Sequence, residues 1–261
     1  MKSWRAKILK LTNKNYFSQK SQMEYMSVSQ FKDFEHCEAM AMASITGEWQ
    51  REKGVALLVG SYVDAYFEGS LDQFKEENPE IFTIKGGLKS NFAQAEQIIE
   101  RLEKDDFLMA HMAGRKQVIC TGEIENVPVK IKIDVLHDDK IVDLKVMKDF
   151  APIWKDGQRM TFIQAWGYDL QGAVYQAIEG NNKPFIIAGA TKEKEPDIGL
   201  FEIPQEFLTE RLNYFKGMVT RYADIKKGLI EPIRCEHCDY CKSTKKLTRL
   251  IDMCDLIYDM E

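Results

Sequence analysis

The fold turns on residues 117–145, QVICTGEIENVPVKIKIDVLHDDKIVDLK, where the apolar spacing shortens from helical to a period of two. QVICTGEI, VPVKIKIDVL and KIVDLK read as three strands separated by the turn-like ENV and HDDK, which predicts an antiparallel meander. In the second strand Val129, Ile131, Ile133 and Val135 share one face, and Lys130, Lys132 and Asp134 take the other. In the third, Asp143 and Lys145 share a face, about 7 Å apart along the strand, with Val142 and Leu144 opposite. The short HDDK connection therefore predicts that Asp134, Asp143 and Lys145 meet on one surface.

Helical patterns surround the meander. SVSQFKDFEHCEAMAMAS, from Ser27, opens with serines suited to an N-cap and repeats Phe31, Phe34, Cys37 and Ala41 at helical spacing, so Cys37 is expected on a helix. VALLVGSYVDAYFEG reads as a mostly buried helix in which Asp64 is the exception. LKSNFAQAEQIIERLEKDD is amphipathic, with Leu88, Phe92, Ala95, Ile99 and Leu102 on one face. Downstream, TFIQAWGYDLQGAVYQAIEG reads as one helix ending at Gly180. PFIIAGAT and GLFEI read as strands, and Pro204 opens a last long helix to about Gly228. The expected class is α/β or α+β, a small mixed sheet flanked by helices. One domain is expected over 27–261, with residues 1–26 as an extension packed on it.

Composition narrows the function. With 44% hydrophobic and 30% charged residues the chain is a folded protein, not a disordered one. No apolar run approaches the roughly 18 residues of a membrane span, and MKSWRAKILKLTNKNYFSQK lacks the apolar stretch of a signal peptide, so a cytoplasmic protein is expected. The net charge of -5 argues against coating nucleic acid by bulk charge. It leaves room for a nuclease, whose site collects carboxylates while DNA contact rests on local patches such as Lys242, Lys245, Lys246 and Arg249. A solvated helix end accounts for that patch equally well.

Paired carboxylates bind a hard cation such as Mg2+, and a nearby lysine can orient the attacking water and offset transition-state charge. Alone, D-x8-D-x-K fits a surface ion pair just as well. The surrounding order is more specific. Asp64 in GSYVDAYFEG, Glu123 in TGEI, D-x8-D-L-K, then Gln171 and Tyr175 in DLQGAVYQ resemble the RecB-like and RecE-like branch of the PD-(D/E)XK nucleases from about Ser27 to Cys241. The resemblance implies a restriction-endonuclease-like core. It implies Asp134 and Asp143 as ligands of Mg2+ or Mn2+, the Leu144 carbonyl as a third ligand, and Lys145 as the catalytic lysine. Asp64 stands where the branch often has His or Glu and would supply an oxygen ligand. Glu123 would reach the metal directly or through water, unless it is an exposed strand carboxylate. Gln171 and Tyr175, on a face with Tyr168 and Gln164 and opposite Trp166, Leu170, Ala173 and Ala177, would contact DNA near the scissile phosphate.

Cys235, Cys238 and Cys241 form C-x2-C-x2-C, a spacing that aims three thiolates at one metal centre. Cys37 is the candidate fourth ligand, because FEHCEAM resembles the upstream cysteine segment of AddB-like and CRISPR-adaptation nucleases. That resemblance implies a four-iron cluster stapling the chain ends; the tight late spacing leaves zinc open. His36 and His237 read as bystanders, and Cys120 and Cys254 as ordinary thiols.

The RecE-like resemblance implies a metal-dependent DNA exonuclease that resects linear duplex ends for an annealing protein in phage-type recombination. Ring-shaped oligomers occur among such exonucleases, and no membrane association is expected. The alternatives are an AddB-like or CRISPR-adaptation end-trimming nuclease and a catalytically silent DNA-binding protein on the same fold. Retention of Asp134, Asp143 and Lys145 together opposes the silent reading. A transcription factor built on CEHCDYC is a weaker competitor.

Overall fold

The computed structural model describes residues 9–50, 54–155, 157–248, 250 and 253. Among the described residues, seven α-helices precede the sheet: α1 (Gln19–Glu24), α2 (Val28–His36), α3 (Glu38–Thr46), α4 (Val55–Glu68), α5 (Leu71–Glu77), α6 (Ser90–Glu103) and α7 (Asp106–Met112). The meander follows as β1 (Arg115–Ile124), β2 (Val127–Leu136) and β3 (Ile141–Met147). A small hairpin, β4 (Ile153–Lys155) and β5 (Gln158–Met160), leads into α8 (Phe162–Ala165) and α9 (Tyr168–Glu179). The chain continues through β6 (Phe185–Thr191), β7 (Ile198–Glu202), α10 (Gln205–Lys226) and α11 (Asp239–Ser243).

The large sheet has the order β1-β2-β3-β6-β7. Only β3 and β6 run parallel, as expected for strands joined through a crossover helix; the other neighbours are antiparallel. Alternation along β3 and β6 feeds two cores. Val142, Leu144, Ile186, Ala188 and Ala190 pack with Val59, Tyr62 and Val63 of α4 and Ile98, Ile99 and Leu102 of α6. Ile141, Phe185 and Ile187 pack instead with Phe31 and Phe34 of α2, Leu170 and Val174 of α9, and Phe215 and Val219 of α10. The mixed sheet flanked by helices is thus present as expected. Among the described residues no helix is long and apolar enough to cross a membrane.

Four local expectations are corrected. In β2, Val129, Ile131 and Ile133 enter one core but Val135 enters the other, so the alternation fails at Asp134. The cause lies on β1: Lys116 pairs with Val135 and Val118 with Ile133, while Gln117 between them adopts φ 54° and leaves the ladder beside Asp134. The segment from Ser27 is two helices, because Cys37 is extended (φ -165°) and its Sγ caps α3 by accepting the Met40 N–H at 3.5 Å. The segment 161–180 likewise breaks, at Gly167 with φ 63°, after the short α8 that Thr161 and Gln164 open with a capping box. Trp166 and Ala177, placed on one face with Leu170 and Ala173, are exposed while those two are buried.

The face holding Lys130 does not meet solvent. Tyr16 and Met26 are buried against the sheet, and the Lys130 ammonium donates to Tyr16 O at 2.7 Å and Ser21 Oγ at 2.8 Å. Burial lowers its pKa to about 8. The segment before Ser27 therefore covers a polar sheet face and satisfies its lysine. Arg249 of the basic patch and Cys254 lie outside the described residues.

Candidate active site

Strands β2 and β3 pair only at Val135↔Val142 and Leu136↔Ile141, then part. Met26 occupies the edge of β2 that β3 leaves, donating its N–H to Pro128 O at 2.8 Å and accepting from Lys130 N–H at 2.9 Å. The mouth of this fork holds the carboxylates. Asp134 Oδ2 accepts the Leu144 N–H at 3.1 Å. Asp143 is 1% exposed; its Oδ1 accepts from Gln171 Nε2 at 2.6 Å and its Oδ2 faces the Lys145 ammonium. Lys145 also donates to the Leu144 carbonyl at 3.1 Å.

From the opposite side of the sheet α4 contributes Asp64 and, one turn on, Glu68. Both line a cavity of about 10 Å³ together with Asp134, Leu144, Lys116 and Gln117. That volume is roughly one water-sized sphere. Burial and the Asp134 charge raise the Asp64 pKa well above the usual carboxylate range. Burial pushes Asp143 up to about 7, with Lys145 opposing the rise and Asp134 adding to it. At Lys145 burial disfavours the charge, but Asp143, Asp134 and Asp64 outweigh it and hold the ammonium protonated. Three carboxylates and one carbonyl thus crowd around a single lysine. Hard oxygen donors around a space this small, with two of the acids resisting ionisation, fit a divalent cation.

The fold brings together Asp64, Asp134, Asp143, Leu144, Lys145 and Gln171. Tyr175 lies beside them, yet its hydroxyl donates to Lys132 O at 3.1 Å and its ring meets Phe185 edge-on, so it braces β2 against α9. Glu123 is a correction. It is exposed and pairs with Pro128 beside the Glu125–Asn126 turn, six residues along β2 from Asp134, or about 20 Å of strand. Two neighbours, Glu68 and Lys32, escaped the sequence reading, and Tyr168 was read only as part of the polar face of its helix. Glu68 follows Asp64 by one helical turn, a spacing that places two carboxylates on one face. Tyr168 sits between two cations, with Lys32 Nζ and Lys145 Nζ each 5.6 Å from its ring centre. Lys32 comes from α2, far away in sequence, and burial together with Lys145 lowers its pKa to about 8.

The cysteines form a second centre. The sulfurs of Cys37, Cys235, Cys238 and Cys241 lie within 4.8 Å of one another, in a setting that includes Met40, Trp49 and Tyr240. Backbone N–H groups of His237 and Cys238 donate to Cys235 Sγ at 3.4 and 3.3 Å. Burial pushes Cys238 up to about 12; at Cys235 burial is outweighed by these donors, which bring it down to about 6. Glu38 secures the two chain segments, accepting from Arg221 Nε at 2.7 Å and from the Ile233 N–H at 2.8 Å. His36 and His237 are exposed and outside the sulfur group.

Residues 27–244 match the model of a family described as a PDDEXK-like domain of unknown function (DUF3799). A crystal structure from Eubacterium rectale, described as a "putative exonuclease", is 49% identical, with a TM-score of 0.92 over 95% of this chain and 98% of that one. The crystal structure of SSO0001 is 14% identical with a TM-score of 0.28, over 81% of this chain and 90% of that one, and bears no weight. No curated protein matches.

The crowding of carboxylates predicts a cost to stability. Asp64→Asn should stabilise the metal-free protein by about 1 kcal/mol in denaturant titrations, as relief of the cost of burying an ionisable carboxyl and, secondarily, of repulsion from Asp134 at a site kept for function. A loss of stability instead would show that Asp64 is held as a structural hydrogen-bond acceptor.

Proposed function

The chain belongs to the PDDEXK-like family DUF3799, and on that premise we propose that it is a metal-dependent deoxyribonuclease acting at the ends of linear duplex DNA. Residues 27–261 form one nuclease domain in this proposal. The observation that carries it is the strand fork, which sets Asp143 and Lys145 on β3 beside Asp134, while Asp134 and Asp64 of α4 line one small cavity at its mouth. The "putative exonuclease" from Eubacterium rectale supports action at ends. The resemblance to RecE-like exonucleases supports a role in supplying single strands for recombination.

Asp134, Asp143, Asp64 and the Leu144 carbonyl would hold Mg2+ or Mn2+. Such an ion, when bound, polarises a phosphodiester and lowers the pKa of a coordinated water. The chain's own contribution is positioning. Gln171 fixes one oxygen of Asp143, leaving the other to Lys145. Lys145, held protonated, offers its ammonium to the attacking water or to charge developing on the phosphate oxygens. Tyr175 holds β2 at the distance from α9 that this geometry needs.

End-labelled linear duplex and closed circular DNA, each incubated with Mg2+, test the reading. The wild type should degrade only the linear DNA, and Lys145→Ala and Asp143→Asn should lower the rate by at least about 100-fold. Cutting of circles would assign an endonuclease, and an inactive wild type would assign a silent DNA-binding protein.

The cysteine tetrad would hold a structural metal. Four thiols whose sulfurs all lie within 4.8 Å of one another would suit a single thiolate-bound ion such as Zn2+. An iron–sulfide cube would lie between the sulfurs and spread them further. Anaerobically purified protein should contain about one zinc per chain, lost together with thermal stability in Cys241→Ser. Iron and inorganic sulfide in place of zinc would assign the four-iron cluster.

A further inference from the structure

A groove of about 680 Å³ lies beside the proposed catalytic fork, lined from α2 by Lys32, from the β4–β5 hairpin by Lys155, from α10 by Arg211, and at its wall by Trp166. Trp166 is 58% exposed, although indole rings are usually well buried. The corner carrying it is fixed. Lys32 Nζ donates to Trp166 O at 2.8 Å and Lys155 Nζ to Ala165 O at 3.2 Å, so two ammonium groups are held on the backbone of the corner that carries the indole. Gly167 then turns the chain with φ 63°, and Tyr168 follows between Lys32 and Lys145. One aromatic ring, that of Tyr168, therefore separates the groove's Lys32 from the lysine of the fork.

The charge of the groove is positive in a chain whose net charge is -5. Lys32, Lys155 and Arg211 face Glu35, which also lines the groove, and Asp169, which lies 3.5 Å from Arg211 Nε, so one cation is in surplus and Lys155 has neither acid as its partner. A ring face flanked by cations is the arrangement that binds a phosphodiester backbone and one of its bases together. A duplex hides its base faces in its own stack, so only an unpaired base can lie on the indole. We propose that this groove binds one unpaired strand of DNA beside the fork, with a base stacked on Trp166 and adjacent phosphates on Lys32 and Lys155. The proposal rests on the nuclease reading for its meaning but not for its test.

Fluorescence anisotropy of a labelled oligo-dT and of a labelled blunt-ended two-strand duplex, both in EDTA, separates the two. Trp166→Ala should weaken oligo-dT binding by roughly 5- to 150-fold, the range expected for one stacked base. Trp166→Phe should restore most of that loss, and Lys155→Ala should lower the affinity and flatten its salt dependence. Duplex binding should change by less than about threefold in Trp166→Ala. Oligo-dT affinity unchanged in Trp166→Ala, an equal loss for duplex, or no oligo-dT binding by the wild type would each overturn the proposal. Cleavage by the wild type with Mg2+ is measured separately, so an inactive enzyme that still binds oligo-dT through Trp166 would refute the nuclease reading alone.

Discussion

One hydrogen bond holds the fork open: the Leu144 N–H is given to the Asp134 carboxylate instead of to a backbone carbonyl of β2. A buried strand amide must have an acceptor. When a side chain supplies it, two neighbouring strands can diverge and remain tethered. The gap so created admits Asp64 and Glu68 from one side and leaves Asp143 and Lys145 facing α9 on the other. Asp134 is thereby a structural element of the sheet and a candidate ligand at once.

The electrostatics of the fork are unfavourable without a cation. Asp64 and Asp143 both resist ionisation, chiefly through burial, and Lys145 is the ammonium group in contact with Asp143. Groups that would otherwise drift are pinned by neighbours with no chemistry of their own. Gln171 holds Asp143, Tyr175 ties α9 to the Lys132 carbonyl, and Met26 fills the vacated edge of β2. The same logic applies at the tail, where Glu38 and Arg221 set α3 against the segment carrying Cys235, Cys238 and Cys241.

The meander, the spacing of Asp134, Asp143 and Lys145, and Asp64 on its helix were legible because strand and helix periods fix side-chain direction over a few residues. The parity break at Asp134 was not, since Gln117 carries no turn signal in the sequence and its left-handed backbone shows only in the paired strands. Glu123 shows the limit of spacing alone. It belongs to the right strand, but register places it beside the distal turn. The break at Cys37 was hidden because a thiol is an unusual helix cap, whereas Gly167 and Gly157 (φ 72°) marked turns that the helical spacing and the lack of apolar alternation obscured. Contacts that join distant segments, such as Lys32 with Tyr168 and Glu38 with Arg221, leave no local trace in a sequence.

The central claim is that the fork carboxylates act together as a divalent-cation site. Mn2+ titration followed by the electron paramagnetic resonance of the free ion tests it most directly, comparing the wild type with Asp134→Asn, which removes the charge while keeping an acceptor for the Leu144 N–H. The account predicts saturable Mn2+ binding in the wild type and its loss in a variant that still folds. Undiminished binding in Asp134→Asn, or none in the wild type, would contradict it.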